Sequence, residues 1–342
     1  RSFDVNLDST IVRSVSEMPF QEESGDVDLE SAELLVSVGR GIEKEENNIR
    51  KQYYYDKYNW VPSLPGFEFD TLNLDKLKRK FDCQQELTGY IDLRTSFPQI
   101  QSIDNLPINP IISVVYMLHY QLLKNKLPIF PPSAMYIYRN INFYKDIVSL
   151  FSFEIIFNSI MNHGFCSENE FPTNKDNLTG KIDNKLMEKA CAFKFLEVYK
   201  VEQNLEVIQR LLSNDYPILV GISVYYDLTN VDSYMWLPDE KLDKKLGGTT
   251  FVLVGYITER NMFIAATTYG RHYGTNGFVL IPFDYILNPK YTGELYTVDF
   301  KKERVEGYIN QRKEMVNLQN NREVQRENKK QYQEDSFGNL FR

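Results

Sequence analysis

The hydrophobic residues of the middle of the chain recur with two different periods. Four segments have helical periodicity, the first apolar nearly all round and the others on one face: residues 109–125, 133–140, 153–164 and 204–214. Asn109 is expected to cap the first helix and Gly164 to end the third. Branched and aromatic runs then predict strands at residues 216–226, 249–257, 261–268 and 276–283. Helices first and strands second indicate an α+β protein with two lobes.

The two ends of the chain lack such a pattern and differ in charge. The first fifty residues contain twelve acids and five bases, whereas residues 301–342 contain seven acids and ten bases. Neither end has enough apolar residues for a core of its own, so we expect the first to be ordered only against a partner or the body, and the second to be a polar helix that docks elsewhere or stays mobile. The predicted organisation is an acidic extension at 1–52, a body at 53–300 and a polar tail at 301–342. Within the body, the helical lobe is expected at about 90–195 and the β lobe at 196–300.

Composition narrows the class of function. A net charge of −8 over 342 residues argues against nucleic acid as a partner. No apolar run reaches the roughly eighteen residues that a membrane span needs. The three cysteines are widely spaced, which predicts a reducing, intracellular environment. Neither a phosphate-binding glycine motif nor zinc-ligand spacing occurs, so neither a cofactor nor a metal is predicted.

Several short stretches of the body follow one another in a familiar order: YNWVPSLPG from Tyr58, DLRTSFPQI from Asp92, the helix after Asn109, HGFCSENEFP from His163, LGGTTFVLVGY from Leu246 and TTYGRHYGTNGFVLIP from Thr267. Together they resemble the papain-like cysteine peptidases, in particular bacterial and large-DNA-virus members, over roughly residues 55–300. The first stretch resembles the segment that leads into the mature peptidase domain. The resemblance implies a helical lobe and a barrel-like β lobe that face each other across a cleft.

The resemblance also implies where catalytic residues would stand. The family has a cysteine at the start of the buried helix, a histidine on the facing strand, an asparagine that orients this histidine, and an oxyanion-binding glutamine. The aligned positions are occupied by other side chains: Asn109, Thr249, Thr267 and Ile103. An amide is not a nucleophile, and a threonine hydroxyl is not a base near neutral pH. The chain thus resembles a catalytically degenerate member, and we predict that it is not an enzyme.

One alternative keeps chemistry in the same cleft. Ser113 lies one helical turn beyond Asn109, but His119 is about 240° farther round the helix and does not face it. The alternative is therefore an active hydrolase with an unorthodox nucleophile, for which Ser113 is the first candidate. The residues expected to line the cleft are Asn109, Ser113, Gly248, Thr249 and Tyr269, while His272 is expected at the surface.

The predicted function is a structural or protein-binding module. Its tails would contact other proteins, and its cleft would hold an extended peptide. The chain is rich in Asn, Lys, Ile and Tyr, which is typical of proteins from AT-rich genomes. Together with the resemblance to viral members, this composition predicts a component of a virus particle.

Overall fold

The computed structural model describes residues 58–64, 68–81, 86–100, 106–127, 130–141, 150–179, 181–228, 231–239, 241, 243–310 and 314. The chain divides into two units at residue 58, and the described residues all belong to the second unit. The acidic extension predicted at 1–52 therefore lies outside the described residues, and so does most of the polar tail. Of that tail, residues 302–310 are helical. No helix among the described residues is long and apolar enough to cross a membrane.

The helical side of the second unit consists of α2 (Asn109–Lys124), α3 (Ala134–Ile141), α4 (Phe153–His163) and α5 (Asn184–Ala190). Helix α2 is buried over almost its whole surface, as its all-round apolar pattern predicts. Gly164 ends α4 with a positive φ of 69°, which confirms its predicted role as the cap. The prediction that Asn109 caps α2 is wrong. The chain turns one residue earlier, at Ile108, so that Asn109 is the first helical residue and Pro110 the second.

The other side of the unit is an eight-stranded sheet with the order β1-β3-β8-β4-β5-β6-β7, in which β2 also pairs with β5. Its strands are β1 (Asp70–Leu72), β2 (Tyr90–Asp92), β3 (Leu196–Val201), β4 (Ile218–Val224), β5 (Gly247–Ile257), β6 (Met262–Ala266), β7 (Phe278–Pro282) and β8 (Thr292–Phe300). The helices α1 (Leu74–Lys80), α6 (Leu205–Ser213) and α7 (Phe283–Leu287) accompany them. Strands β4 to β7 correspond to the predicted strands, whereas the pattern did not predict β1, β2, β3 or β8.

Two buried hydrogen bonds fasten α2 to the sheet. The hydroxyls of Ser113 and Thr250 lie 2.7 Å apart, and neither residue is exposed. Near the C-terminal end of α2, the Gln121 amide donates to the Val298 carbonyl oxygen at 2.7 Å. Because an unpaired polar group is costly in a core, these bonds fix how the helix lies on the sheet. They place the start of α2 beside the first residues of β5.

Candidate functional site

The residues predicted at the catalytic positions lie on the elements that meet at this point. Asn109 begins α2 and is 9% exposed, Thr249 is buried in β5, and Thr267 is buried directly after β6. Ile103 lies outside the described residues. Ser113, the candidate for an unorthodox nucleophile, is fully buried against Thr250. A nucleophile must reach its substrate, and the Ser113 hydroxyl is instead packed between α2 and β5, which argues against Ser113 in that role.

Hydroxyl groups from the sheet side converge near Thr249. Its hydroxyl lies 2.8 Å from the hydroxyl of Tyr269, and the backbone N–H of Tyr269 donates to Thr267 Oγ1 at 3.4 Å. The ring of Tyr269 packs against that of Tyr273 at 5.0 Å between centroids. This wall therefore offers neutral hydroxyl donors and acceptors together with aromatic surface.

Residues 58–64, here called the lead-in segment, run between the helical side and the sheet side. The Trp60 N–H donates to the Gly248 carbonyl oxygen at 2.9 Å, on the sheet side. On the helical side, the Val61 N–H donates to the Phe151 carbonyl at 3.1 Å, and the Phe151 N–H donates to the Asn59 carbonyl at 2.9 Å. Both contacts are parallel β-bridges. The segment therefore occupies the cleft as an added strand bonded to both walls.

The lead-in segment passes directly between the two predicted catalytic elements. The side-chain amide of Asn59 donates to the Pro107 carbonyl, two residues before Asn109. The main chain of Asn59 forms its bridge with Gly248, the neighbour of Thr249 in β5. Asn59 is fully buried there. The start of α2 and the start of β5 therefore lie on opposite sides of a single lead-in residue.

Trp60 fills a pocket whose wall consists largely of glycine. A Cβ atom added at Gly221 would lie 2.2 Å from two ring atoms of Trp60, and one added at Gly248 would lie 2.3 Å from the Trp60 carbonyl oxygen. A Cβ at Gly293 would lie 3.1 Å from Trp60 Cη2, and the Phe153 ring is 5.8 Å away between centroids. Trp60 is 3% exposed, and its Nε1 has no hydrogen-bond partner among the described residues. The pocket thus holds the indole by shape.

Tyr58 is held by polar contacts instead. Its hydroxyl donates to Asp227 Oδ1 at 3.0 Å and accepts the N–H of Leu228 at 2.8 Å. Burial, reinforced by the nearby Tyr269, raises the pKa of Tyr58 above its ordinary value. Tyr58 is 1% exposed, and the phenol is therefore neutral and fixed in place.

At the other end of the lead-in segment, Ser63 is bonded to a buried acid. Its N–H donates to Glu294 Oε1 and its hydroxyl to Glu294 Oε2, each at 3.2 Å. Glu294 is 8% exposed, and burial raises its pKa, although the bonds from Ser63 and Tyr296 act in the opposite direction. The Glu154 N–H donates to Ser63 Oγ at 3.4 Å. This end of the cleft is therefore acidic.

Thiol, imidazole and metal chemistry have few candidates in the described part of the chain. Cys166 is buried in a cluster with Tyr136 and Ala190, and Cys191 is exposed after α5. Cys83 lies outside the described residues. Burial lowers the pKa of His119. His272 is exposed, as predicted. Over the described ranges, no three His, Cys, Asp or Glu side chains come close enough together to hold a metal ion.

The sequence pattern does not predict that the cleft is occupied from within. The stretch from Tyr58 carries only a resemblance, and no local signal singles out Trp60, Ser63 or Glu294. A usable signal was present in β4, where Gly221 interrupts a run of branched residues. A glycine inside a strand often marks a point at which another chain segment approaches closely.

No protein-family model and no curated protein matches the chain. Solved structures do match. Xylellain, a cysteine protease from Xylella fastidiosa, is 19% identical with a TM-score of 0.63, covering 72% of this chain and 96% of its own. Digestive procathepsin L 3 of Tenebrio molitor is 12% identical with a TM-score of 0.56, covering 75% and 82%. ProCathepsin B S9 from Trypanosoma congolense is 14% identical with a TM-score of 0.57, covering 76% and 91%.

These neighbours are papain-like cysteine proteases, and the chain has their fold. The α+β, two-lobed prediction is thereby confirmed. At identities of 12–19%, the similarity to these structures shows only the fold.

The prediction that the chain is not an enzyme is wrong as it stands. Each neighbour reported above is named as a cysteine protease or a procathepsin, and a fold shared with such proteins does not support a loss of activity. The physical reason is that the prediction relied on four side chains alone. Four aligned side chains indicate that thiol–imidazole chemistry is not available at those positions, but they do not show that activity has been lost.

Proposed function

We propose that the chain binds an extended polypeptide in its interlobe cleft, as a protein-binding module of the papain-like fold. The observation that carries this proposal is the lead-in segment itself, bonded through its main chain to Gly248 on one wall and Phe151 on the other. Main-chain hydrogen bonds do not depend on side-chain identity. The same walls therefore suit a segment of another protein once the lead-in segment leaves.

The side-chain anchor of such a ligand would be aromatic. Gly221, Gly248 and Gly293 leave room for a flat ring where larger residues would fill the pocket. A buried aromatic side chain contributes roughly 2–3 kcal/mol through its apolar surface. A ligand with an aromatic residue at this point would therefore gain both main-chain and side-chain contacts.

The lead-in segment competes with any such ligand because it is covalently attached. A tethered competitor acts at an effective concentration of about millimolar, which a free ligand must overcome. Binding is therefore best measured after the tethered segment has been weakened. Trp60→Ala combined with Ser63→Ala removes its two side-chain contacts with the pocket and with Glu294.

The test is fluorescence anisotropy of a labelled peptide with the sequence of residues 58–65, titrated with the doubly substituted full-length protein. We expect saturable binding, and binding at least about tenfold weaker to the unsubstituted chain. Circular dichroism establishes that the variant is folded. If that variant does not fold, Trp60→Ala alone replaces it. Absence of binding to a folded variant would refute the proposal.

A second candidate is hydrolysis of the bound polypeptide, and the protease names of the structural neighbours favour it. Thr249 follows Gly248, to which the lead-in segment is bonded, and its buried hydroxyl is paired with that of Tyr269 at 2.8 Å. Mass spectrometry of the peptide after incubation with the variant would detect cleavage. Labelling by a fluorophosphonate probe that disappears in Thr249→Val would support this candidate, whereas labelling unaffected by Thr249→Val would refute Thr249 as its nucleophile.

We also propose a role for the two tails and a location for the protein. Polar ends of opposite net charge support contacts with other proteins, and the Asn-, Lys-, Ile- and Tyr-rich composition supports a viral origin and a place in a virus particle. The two described cysteines are free thiols, which supports a reducing compartment. Cross-linking mass spectrometry on purified particles would test the partners, and the absence of the chain from particles would refute that location.

A further inference from the structure

The acidic end of the cleft is built around one lead-in residue. Ser63 donates two hydrogen bonds to Glu294 and accepts one from the Glu154 backbone. Glu154 Oε2 is buried without a hydrogen-bond partner among the described residues. The charges of both acids act on Tyr296, whose pKa is raised mainly by its burial. Glu294 is therefore the acid bonded to Ser63, and Glu154 is a second acid whose charge acts on the same tyrosine.

The negative charge of the Glu294 carboxylate has no charged hydrogen-bond donor among the described residues. Glu294 is 8% exposed, and the side chains that donate to it, those of Ser63 and Tyr296, are neutral. Among the described residues, Lys200 is a cation that acts on it, and Lys200 is itself exposed. A buried carboxylate gains most from a charged donor, because charge-assisted bonds are roughly twice as strong as neutral ones. Ser63 supplies only neutral donors.

We infer that Glu294 and Glu154 form a recognition subsite for a basic residue of a polypeptide ligand, three positions after the aromatic residue that enters the Trp60 pocket. This inference rests on the proposed function, because the ligand is taken to follow the path of the lead-in segment. The spacing is that of Trp60 and Ser63. The favoured ligand is thus an extended segment of the form aromatic-x-x-basic, and the lead-in segment is a weaker match to the cleft than such a ligand.

The subsite can be tested within the intact chain, without any added ligand. The protein has two tryptophans, so Trp236→Phe leaves Trp60 as the single fluorophore. In that background, Ser63→Lys, Ser63→Ala and Ser63→Asp are compared by the urea dependence of the Trp60 emission wavelength. We expect the equilibrium constant for release of the lead-in segment to be about tenfold smaller in Ser63→Lys than in Ser63→Ala. In Ser63→Asp we expect it to be larger than in Ser63→Ala.

Glu294→Gln supplies the matched control because it keeps the shape of the side chain and removes its charge. In this variant, the release constants with Lys and with Asp at position 63 should differ by about twofold or less. Glu259 is an exposed acid after β5, and Glu259→Gln should leave the difference between Lys and Asp unchanged. Glu154→Gln provides an independent variant if Glu294→Gln does not fold. Equal release for Lys and Asp in the unsubstituted subsite would overturn the inference.

A second arm separates this inference from the proposed function. Peptides of residues 58–65 with Ser, Lys, 2,3-diaminopropionate or Asp at position 63 are titrated against the doubly substituted protein. We expect the two cationic peptides to bind about tenfold more tightly than the Ser peptide, and the preference to fall at high salt. Binding of all four with equal affinity overturns the inference alone. No binding by any of them, with the preference within the chain intact, refutes the proposed function alone.

Discussion

Tyr58 and Trp60 lie two residues apart in the lead-in segment and are both buried, but the cleft holds them in different ways. The Tyr58 hydroxyl has an acceptor in Asp227 and a donor in Leu228. The indole N–H of Trp60 has no partner among the described residues, and its ring lies against glycine. One side chain is thus held by directional bonds, and the other by the space that three glycines leave.

The difference separates two kinds of recognition in one cleft. A hydrogen-bonded site rejects a ligand that lacks the bonding group, because its own polar groups then stay unpaired. A pocket defined by shape accepts any ring of the right thickness. We therefore expect the Tyr58 site to discriminate by chemistry and the Trp60 pocket to discriminate by size.

Filling the Trp60 pocket should have the largest effect. Gly221→Ala places a Cβ atom 2.2 Å from the indole ring, so the ring must move or leave, at a cost of about 1–3 kcal/mol in the free energy of unfolding. The matched control is Gly293→Ala, whose Cβ would lie 3.1 Å from the ring and which should cost less. Urea denaturation measures both. Equal costs would show that shape does not hold Trp60.

Removing the Tyr58 hydroxyl should have an intermediate effect. Tyr58→Phe leaves the buried Leu228 N–H without this acceptor and takes a donor from Asp227, which should cost about 1–2 kcal/mol. Thermal unfolding measures the loss. Tyr90→Phe is the control, since Tyr90 is 53% exposed and also bonds an aspartate, Asp92. If Tyr58→Phe is no more destabilising than Tyr90→Phe, directional bonds do not hold Tyr58.

The smallest effect concerns the acid at the far end of the lead-in segment. Burial raises the folded-state pKa of Glu294 above its ordinary value, so the stability associated with its neutral form is present at low pH and is lost as the pH rises through the raised pKa. Glu294→Gln should therefore gain stability relative to the unsubstituted chain as the pH rises from about 4.5 towards neutrality. Melting temperatures measured across that range test this. Parallel curves would contradict it.

The sequence by itself determined much of the fold. The all-round apolar pattern of residues 109–125 predicts a buried helix, and the branched runs predict β4 to β7, because local periodicity records which faces are buried. The short strands β1 and β2, three residues each, carry no such pattern and were not predicted. The one-residue shift at Asn109 reflects how chain geometry sets a helix start within a residue or two of the local signal.

Only the tertiary structure decided what the cleft contains. Trp60 is far in sequence from Gly221 and Gly293, and Ser63 is 231 residues from Glu294, so no local pattern connects them. Their meeting depends on how the two lobes pack, which a sum of local propensities does not encode. The sequence indicated a papain-like cleft and the unusual residues Asn109 and Thr249 beside it. The fold added that a segment of the chain itself lies between them.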